Sequence, residues 1–435
     1  TIGRIPDNNP SITPGDTLWI PAAWSWTYVG AWGLELQKSI LEEEGIPTCV
    51  INGAIPGKRM DDFLIRDEKN PANPTTMYGS FLNRVRVAKP ARVRSFIWMH
   101  GEQDVLEYIP NYAEKYDRLY KYWVQDFPQV EQFLVVQTNL ILMDDNKPNP
   151  LGGTVRNFLR KTKYIYPKTD HFAAIGTPGY DGVHYSRAGY EDFGRRIFAF
   201  LRPRLHYSTD TVRVRSPDIL KAEYTSEKNN EILLTFSEGA DLVWPNDTTV
   251  TGEDGTPLVL KLKDFFYLDG DETKQVIAEG KAVGNKVTLT LKEPINASKL
   301  GYLPSKMPKN LPDPNDYGTG LYSGPFLKNK RGVGAFSFVD VDIVPFPILG
   351  IEPVGDPFVW KVYPNPVSDI LSVHFEQQQN GKLQIVGLNG QTIYEKSVKS
   401  ARDFEIKMTD WPTGYYFVKM IDGRGNVSTQ KIAKF

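Results

Sequence analysis

The sequence is poor in cysteine, and this scarcity excludes two kinds of site. Cys49 is the only cysteine among 435 residues, so the chain holds neither an internal disulfide nor a thiolate-cluster metal site. Cys49 lies in the apolar run Thr48–Asn52, which is typical of a buried strand. Because apolar burial disfavours the thiolate, we expect an inert core residue; a reactive thiol is the alternative.

The sequence also lacks charge of one sign and long hydrophobic runs. Lysine and arginine total 51 and aspartate and glutamate 52, a net charge of −1, which argues against nucleic-acid and membrane-surface partners. No apolar run approaches the ~18 residues of a membrane-spanning helix. No metal or organic cofactor is implied. The chain starts at Thr1 without an initiator methionine or signal peptide, which predicts either a removed targeting segment or a fragment.

Residues 1–206 alternate strand and helix patterns. The pattern predicts helices at Trp32–Glu44, Tyr112–Asp126 and Ser186–Leu201, and strands at Thr48–Asn52, Val93–Met99 and Gln132–Thr138. Such alternation indicates a doubly wound, flavodoxin-like α/β domain with a parallel sheet. Ligands of these sheets bind beyond the carboxyl ends of the strands. We therefore expect chemistry in the turns after Asn52, Met99 and Thr138.

The remaining residues change to the short alternating runs of β-structure. Residues 207–345 predict a β-sandwich accessory domain, residues 346–359 a proline-rich linker, and residues 360–435 a second, immunoglobulin-like all-β domain. Strands of the last domain are predicted at Ile370–Phe375 and Lys382–Val386, among others. The sequence thus predicts an α/β domain followed by two β-sandwich domains.

The strongest catalytic pattern is Asp181-Gly-Val-His184, which stands just before a predicted helix. An aspartate three residues before a histidine places both side chains on one side of a turn. The carboxylate can then orient the imidazole, and His184 can act as general base toward a hydroxyl nucleophile. A helix-capping aspartate beside a surface histidine is the alternative.

A second pattern, Trp98-Met-His-Gly-Glu-Gln-Asp104, follows a predicted strand. Its glycine allows a sharp turn that leaves His100 and Glu102 over the strand end. A packed, hydrogen-bonded core His100 is the alternative.

Over residues 16–200 these blocks resemble the sialate-O-acetylesterase-like carbohydrate esterases of the SGNH-hydrolase superfamily. The resemblance implies serine-dependent removal of acetyl groups from a glycan, with Asp181 and His184 as two triad members. The block Asn52-Gly-Ala-Ile-Pro-Gly57 resembles the glycine block that supplies an oxyanion-hole amide, here that of Gly57. The resemblance further implies that His100 and Glu102 help to hold the oxyanion and position substrate.

The sequence departs from this family at three places. His100 stands where the family usually has glutamine, and Pro56 has no amide to donate. The nucleophile motif Gly-Gln-Ser-Asn is absent, and Ser25 is a less favoured substitute than a serine outside this sequence. Because the first strand of such a sheet is usually central, we expect the missing segment upstream, in the precursor or as a separate chain.

The last 75 residues resemble the C-terminal sorting domain of type IX secretion cargo. The resemblance rests on Lys361–Val373, on Leu388-Asn-Gly-Gln391, on Trp411–Val418 and on the basic ending Thr429–Phe435. Its signature residues are Tyr363, Pro364, Asn365, Pro366, Gly390 and Gly414. It implies recognition by the translocon and an outer-membrane shuttle protein, and a secreted or surface location in a diderm bacterium. An accessory or sugar-binding immunoglobulin-like module is the alternative.

Two functions follow as hypotheses. The leading one is an exported carbohydrate O-acetylesterase that acts on acetylated glycans. The other is a catalytically degenerate, glycan-binding or structural surface protein that leaves the cell by the same route. Hydrolysis of an acetyl ester would distinguish them.

Overall fold

A parallel sheet of three strands and its flanking helices form the first part of the chain. The computed structural model describes residues 29–141, 151–251, 255–305, 324–346, 359–387, 391–423 and 425–434. The chain divides into two compact units, a first unit, Thr1–Phe346, and a tail unit, Pro347–Phe435. Among the described residues, no helix is both long and apolar enough to cross a membrane.

Helices and parallel strands alternate along residues 29–206. The helices are α1 (Ala31–Glu44), α2 (Met60–Phe63), α3 (Met77–Ala88), α4 (Glu102–Leu106), α5 (Tyr112–Asp126), α6 (Leu151–Ile165) and α7 (Arg187–Leu205). The strands are β1 (Phe96–Met99), β2 (Phe133–Gln137) and β3 (Thr169–Ala173), in the order β1-β2-β3. Both pairings are parallel, with Trp98 opposite Val135 and Val135 opposite His171. All three carboxyl ends therefore lie on one edge of the sheet.

The strands of this sheet differ in burial. Every residue of β2 and β3 is buried, whereas every residue of β1 is only half-buried. Among the described residues β1 pairs with β2 on one side and has no strand on the other. The predicted helices are confirmed at α1, α5 and α7, and α1 ends at Gly45, whose φ of 66° is the left-handed conformation typical of a helix stop.

The prediction for Thr48–Asn52 is wrong in its burial. Cys49 is exposed rather than a core residue. Within Thr48–Asn52 only Ile51 has a β-bridge. The Thr48 carbonyl accepts a hydrogen bond from Gln37 Nε2 on α1. Thr48 is exposed as well, and Val50, Ile51 and Asn52 are half-buried, so the run is not the buried segment that its apolar composition predicts.

The second part of the first unit is β-structure. Its strands are β4 (Ile219–Tyr224), β5 (Glu231–Phe236), β6 (Leu242–Val243), β7 (Thr248–Thr251), β8 (Pro257–Leu260), β9 (Phe266–Leu268), β10 (Ile277–Val283), β11 (Lys286–Leu291), β12 (Lys299–Tyr302), β13 (Lys328–Asn329) and β14 (Phe338–Val344), with a 3-10 turn at Leu262–Phe265. Seven of them form one sheet in the order β10-β11-β5-β4-β14-β12-β9.

This seven-stranded sheet shares a core with the α/β part. One cluster of buried apolar side chains runs from α1, β2, β3 and α7 into β4, β5, β11 and β12. The His171 ring lies 4.3 Å from that of Phe336. Gln137 accepts a hydrogen bond from Ser337 N and donates one to Ser337 O. The two parts are therefore packed together, and the boundary after residue 206 stays a prediction.

The tail unit is all β, as the sequence predicts. Its strands are β15 (Trp360–Tyr363), β16 (Ile370–Gly387), β17 (Thr392–Lys407), β18 (Gly414–Asp422) and β19 (Val427–Lys434). Their order is β15-β16-β18-β19, and β17 also pairs with β16. The two strands predicted at Ile370–Phe375 and Lys382–Val386 form the single strand β16, because irregular pairing between them continues the ladder.

Candidate active site

The carboxyl end of β1 leads into the block His100–Asp104. Gly101 has a φ of 137°, a conformation that favours glycine, and a Cβ there would lie 3.0 Å from Val155. The turn places His100 below the surface. Its Nε2 lies 3.0 Å from the Lys58 carbonyl and its Nδ1 lies 3.1 Å from Tyr112 Oη. Burial lowers the pKa of His100 to about 4, so the ring is neutral near pH 7.

The glycine block forms a tight loop before α2. Asn52 Oδ1 accepts the amide hydrogen of Ala54 at 2.9 Å. Gly53 lies against Phe81, where a Cβ would come within 2.7 Å of the ring. Gly57 has a φ of 63° and is exposed. The loop therefore depends on glycine at both positions, and it presents Gly57 at the surface.

Glu102 lies at the first turn of α4 and is half-buried. Burial raises the pKa of its carboxyl to about 7, and the nearby Asp104 charge adds to the effect. Burial also raises the pKa of Tyr180, Tyr185 and Tyr190, and in each case the charge of Glu102 contributes. The charge of Glu102 thus acts on the tyrosines that follow β3.

Asp181 and His184 lie in a turn held by backbone and side-chain contacts. The Asp181 amide donates to the His184 carbonyl at 2.9 Å, and Asp181 Oδ1 accepts from the amides of Val183 and His184 at 2.9 and 2.6 Å. Asp181 Oδ2 lies 3.7 Å from His184 Nδ1. This separation is longer than a hydrogen bond, although such contacts often tighten only when substrate binds. The His184 side chain is 71% exposed.

Two tyrosines stabilise this turn, and one of them joins it to the end of β3. Tyr180 Oη donates to the Gly182 carbonyl at 2.9 Å, and Tyr185 Oη donates to the Ala174 carbonyl, just beyond β3, at 3.1 Å. Their ring centroids are 4.8 Å apart. Ser186 then begins α7, since its hydroxyl accepts the Gly189 amide hydrogen. The result is an exposed imidazole on an anchored turn.

The structure brings some predicted residues together. His100 contacts the backbone directly after Gly57, and Glu102 is close to the tyrosines of the Asp181–His184 turn. Sequence reasoning missed Asp104, Tyr112, Tyr180 and Tyr185. Asp104 lies within a motif that the sequence does show, whereas Tyr112 has no signal beyond a helical pattern. Ser25 lies outside the described residues.

A metal site is absent from the part of the chain that the structure describes. No group of three or more histidine, cysteine, aspartate or glutamate side chains could hold an ion there. The expectation of a site without a cofactor stays a prediction.

Asn365 binds the last strand of the tail unit. Its Nδ2 donates to the Lys431 carbonyl at 2.9 Å, and its Oδ1 accepts the Ala433 amide hydrogen at 2.9 Å. Among the other signature residues, Tyr363 is half exposed, cis peptide bonds precede Pro364 and Pro366, and Gly414 begins β18. Gly390 lies outside the described residues.

Two family models match separate parts of the chain. Residues 26–201 match the family described as carbohydrate esterase, sialic acid-specific acetylesterase. Residues 361–434 match the family described as secretion system C-terminal sorting domain. No curated protein matches the sequence.

Solved structures give more distant similarities. A carbohydrate acetylesterase from Xanthomonas citri is 18% identical, with a TM-score of 0.48; the alignment covers 71% of this chain and 64% of that one. An immunoglobulin-like β-sandwich protein from Bacteroides vulgatus is 14% identical over 18% of this chain and 87% of its own, with a TM-score of 0.17. Latent PorU from Porphyromonas gingivalis is 13% identical over 50% of this chain and 20% of its own, with a TM-score of 0.16.

The two family-model matches confirm both resemblances that the sequence motifs carry. The sorting domain indicates recognition by the secretion system and export through the outer membrane to the cell surface or beyond. The chain thus combines a domain similar to the sialic acid-specific acetylesterase family of carbohydrate esterases with a secretion system C-terminal sorting domain.

Proposed function

We propose that the first unit hydrolyses acetyl esters on glycans and that His184 is its general base. The observation that carries the proposal is the Asp181–His184 turn, which lies beyond the carboxyl end of β3 within the stretch that matches the esterase family. An exposed imidazole beside a carboxylate can accept a proton from a serine hydroxyl. O-acetylated sialic acid is the first substrate to test, since the family description names that sugar.

The reaction takes two steps. A serine oxygen attacks the acetyl carbonyl while His184 Nε2 accepts the hydroxyl proton, and the tetrahedral oxyanion forms. The intermediate then collapses, the sugar hydroxyl leaves with the proton from His184, and water hydrolyses the acetyl-enzyme by the same route. Asp181 would hold the imidazole through Nδ1 and stabilise its charged form.

The remaining site residues take supporting roles in this proposal. The exposed Gly57 amide donates to the oxyanion, as backbone amides do in acyl transfer. Glu102, with a pKa of about 7, accepts a hydrogen bond from a sugar hydroxyl in its ionised form. The serine itself is not assigned. We propose that it follows a strand beside β1, on the side opposite β2, because every residue of β1 is only half-buried among the described residues.

The decisive experiment uses the protein as its native host makes it. Acetate release from O-acetylated sialic acid and from 4-nitrophenyl acetate would be measured beside labelling by a fluorophosphonate, a probe that reacts with activated serines. We expect turnover, and peptide mapping of the labelled serine would identify the nucleophile. The absence of both turnover and labelling in a correctly folded protein would contradict the proposal.

A degenerate, glycan-binding protein is the second candidate function. The specific feature in its favour is Pro56, which has no amide at a position where the family has a second glycine. This candidate predicts that the native protein binds acetylated glycans without releasing acetate.

We also propose that the tail unit is recognised by the type IX translocon and its outer-membrane shuttle protein. Deletion of residues 360–435 should leave the protein in the periplasm. Normal secretion of this truncated protein would contradict the proposal, and the full-length protein expressed in parallel is the control.

A further inference from the structure

Two hydrogen bonds join the block after β1 to the loop that carries Gly57. His100 Nε2 lies 3.0 Å from the Lys58 carbonyl, across 42 positions of sequence. The Met60 amide donates to Asp104 Oδ2 at 2.9 Å, across 44 positions. The loop is thus held directly after Gly57 and again at the first residue of α2.

His100 has no ring nitrogen left for a substrate. A carbonyl can only accept, so the contact with Lys58 requires hydrogen on Nε2, and the other nitrogen of the neutral ring faces Tyr112 Oη. The single hydroxyl hydrogen of Tyr112 is shared between this nitrogen and the His100 carbonyl, which lies 2.9 Å from Oη. The ring packs against Trp98 and Phe63 with centroid distances of 4.9 and 5.5 Å. His100 therefore points into the protein, toward the loop, and not out of it.

Asp104 is fully buried and holds the start of α2. Its Oδ2 also lies 3.7 Å from His100 Nε2. The amide of Arg59 donates to Asp62 Oδ2 at 2.9 Å, so Asp104 and Asp62 together accept the amides of two consecutive residues. A buried carboxylate that accepts a backbone amide is costly to lose, because the amide is then left without a partner.

We propose that His100 and Asp104 are positioning residues that fix the backbone from Gly57 to Met60 at the carboxyl end of β1. His100 thereby acts on the oxyanion only through the Gly57 amide and does not touch the acyl group. His100 donates one hydrogen bond, from Nε2 to the Lys58 carbonyl. The glutamine that the family usually has at this position also carries a hydrogen-bond donor. The part of this inference that concerns the oxyanion rests on the proposed function; the tether itself does not.

Hydrogen exchange measured by mass spectrometry on peptides spanning residues 53–62 tests the tether. In His100→Ala and Asp104→Ala we expect the hydrogen-bonded amides of Arg59 and Met60 to exchange at least tenfold faster than in the wild type. His100→Gln and Asp104→Asn retain the donor and the acceptor and should stay within about threefold of the wild type. Gln103→Ala is the matched control, since this neighbouring side chain hydrogen-bonds Glu107 and not the loop. Wild-type exchange in both alanine variants would overturn the proposal.

If His100→Ala does not fold, His100→Asn replaces it in the exchange experiment. The asparagine side chain is too short to reach the Lys58 carbonyl, so this variant also loses the hydrogen bond. Faster exchange is again expected, and wild-type exchange in this variant would overturn the tether.

Ester hydrolysis by the same variants of the native protein tests the link to catalysis. Across the series kcat should fall as the exchange rate rises. For His100→Ala we expect kcat to fall by about tenfold or more while KM stays within twofold of the wild type. His100→Gln should recover the wild-type kcat. A variant that loses kcat but exchanges like the wild type would show a direct substrate contact and would overturn the positioning role. If the wild type has no esterase activity, the proposed function fails while the exchange result still decides the tether.

Discussion

The two histidine-bearing segments at the carboxyl edge of the sheet are held in opposite ways. His100 is buried, neutral and engaged at both ring nitrogens, whereas His184 is 71% exposed on a turn that Asp181 stabilises mainly through backbone amides. The family resemblance assigns both to one site. A histidine with solvent access can exchange protons with a substrate, while a packed histidine is suited to hold a neighbouring segment in place.

Asp181→Asn should have a large effect on activity. The amide oxygen can still accept the turn amides, but the side chain no longer carries the charge that stabilises a protonated His184. We expect kcat to fall by about 10²–10⁴ with little change in stability. Esterase kinetics and thermal unfolding measure the two effects, and Asp181→Ala, which also removes the acceptor, should lose stability as well. Unchanged kcat in Asp181→Asn would show that the Asp181 carboxylate does not take part in the mechanism.

Gly101→Ala should have the largest effect on stability in the buried segment. The backbone there has a φ of 137°, and the new Cβ would meet Val155 at 3.0 Å. We expect a loss of about 1–3 kcal/mol in the free energy of unfolding, measured with urea. The control is Gly45→Ala, which has a positive φ of 66° but open space around the new Cβ, and which should cost about 1 kcal/mol or less. Equal losses would mean that packing at Gly101 is loose.

Tyr180→Phe should weaken the exposed turn by a smaller amount. The variant leaves the buried Gly182 carbonyl without the hydroxyl that it accepts from, and we expect a loss of about 1–2 kcal/mol. Urea unfolding measures it, with Tyr207→Phe as the control, since Tyr207 is 83% exposed. A loss no greater than that of the control would show that the turn does not depend on this contact.

Glu102→Gln should change the dependence of stability on pH. Burial raises the pKa of Glu102 to about 7 from an ordinary 4.5. The folded protein therefore retains this proton while the unfolded chain loses it, so the contribution of Glu102 is greatest below about pH 4.5 and falls until about pH 7. Urea unfolding from pH 4.5 to 8 should show stability of the wild type falling relative to the variant. A constant difference between them would contradict the raised pKa.

The sequence predicts more of the framework than of the contacts within the site. Helical periodicity locates α1 and α5, and apolar runs locate β2, because these signals are local. The hydrogen bonds between His100 and Lys58 and between Asp104 and Met60 join positions more than 40 residues apart, so no local sequence pattern predicts them. The exposure of Cys49 is likewise set by tertiary packing, which the apolar composition of the run does not show.

Acetyl ester hydrolysis by His184→Ala, measured beside His100→Gln in the native protein, tests whether His184 is the general base and His100 a positioning residue. Because the His184 side chain is 71% exposed, its removal should leave the fold intact. We expect a loss of kcat by about 10³-fold or more in His184→Ala and activity near that of the wild type in His100→Gln. Wild-type turnover in His184→Ala would contradict this expectation.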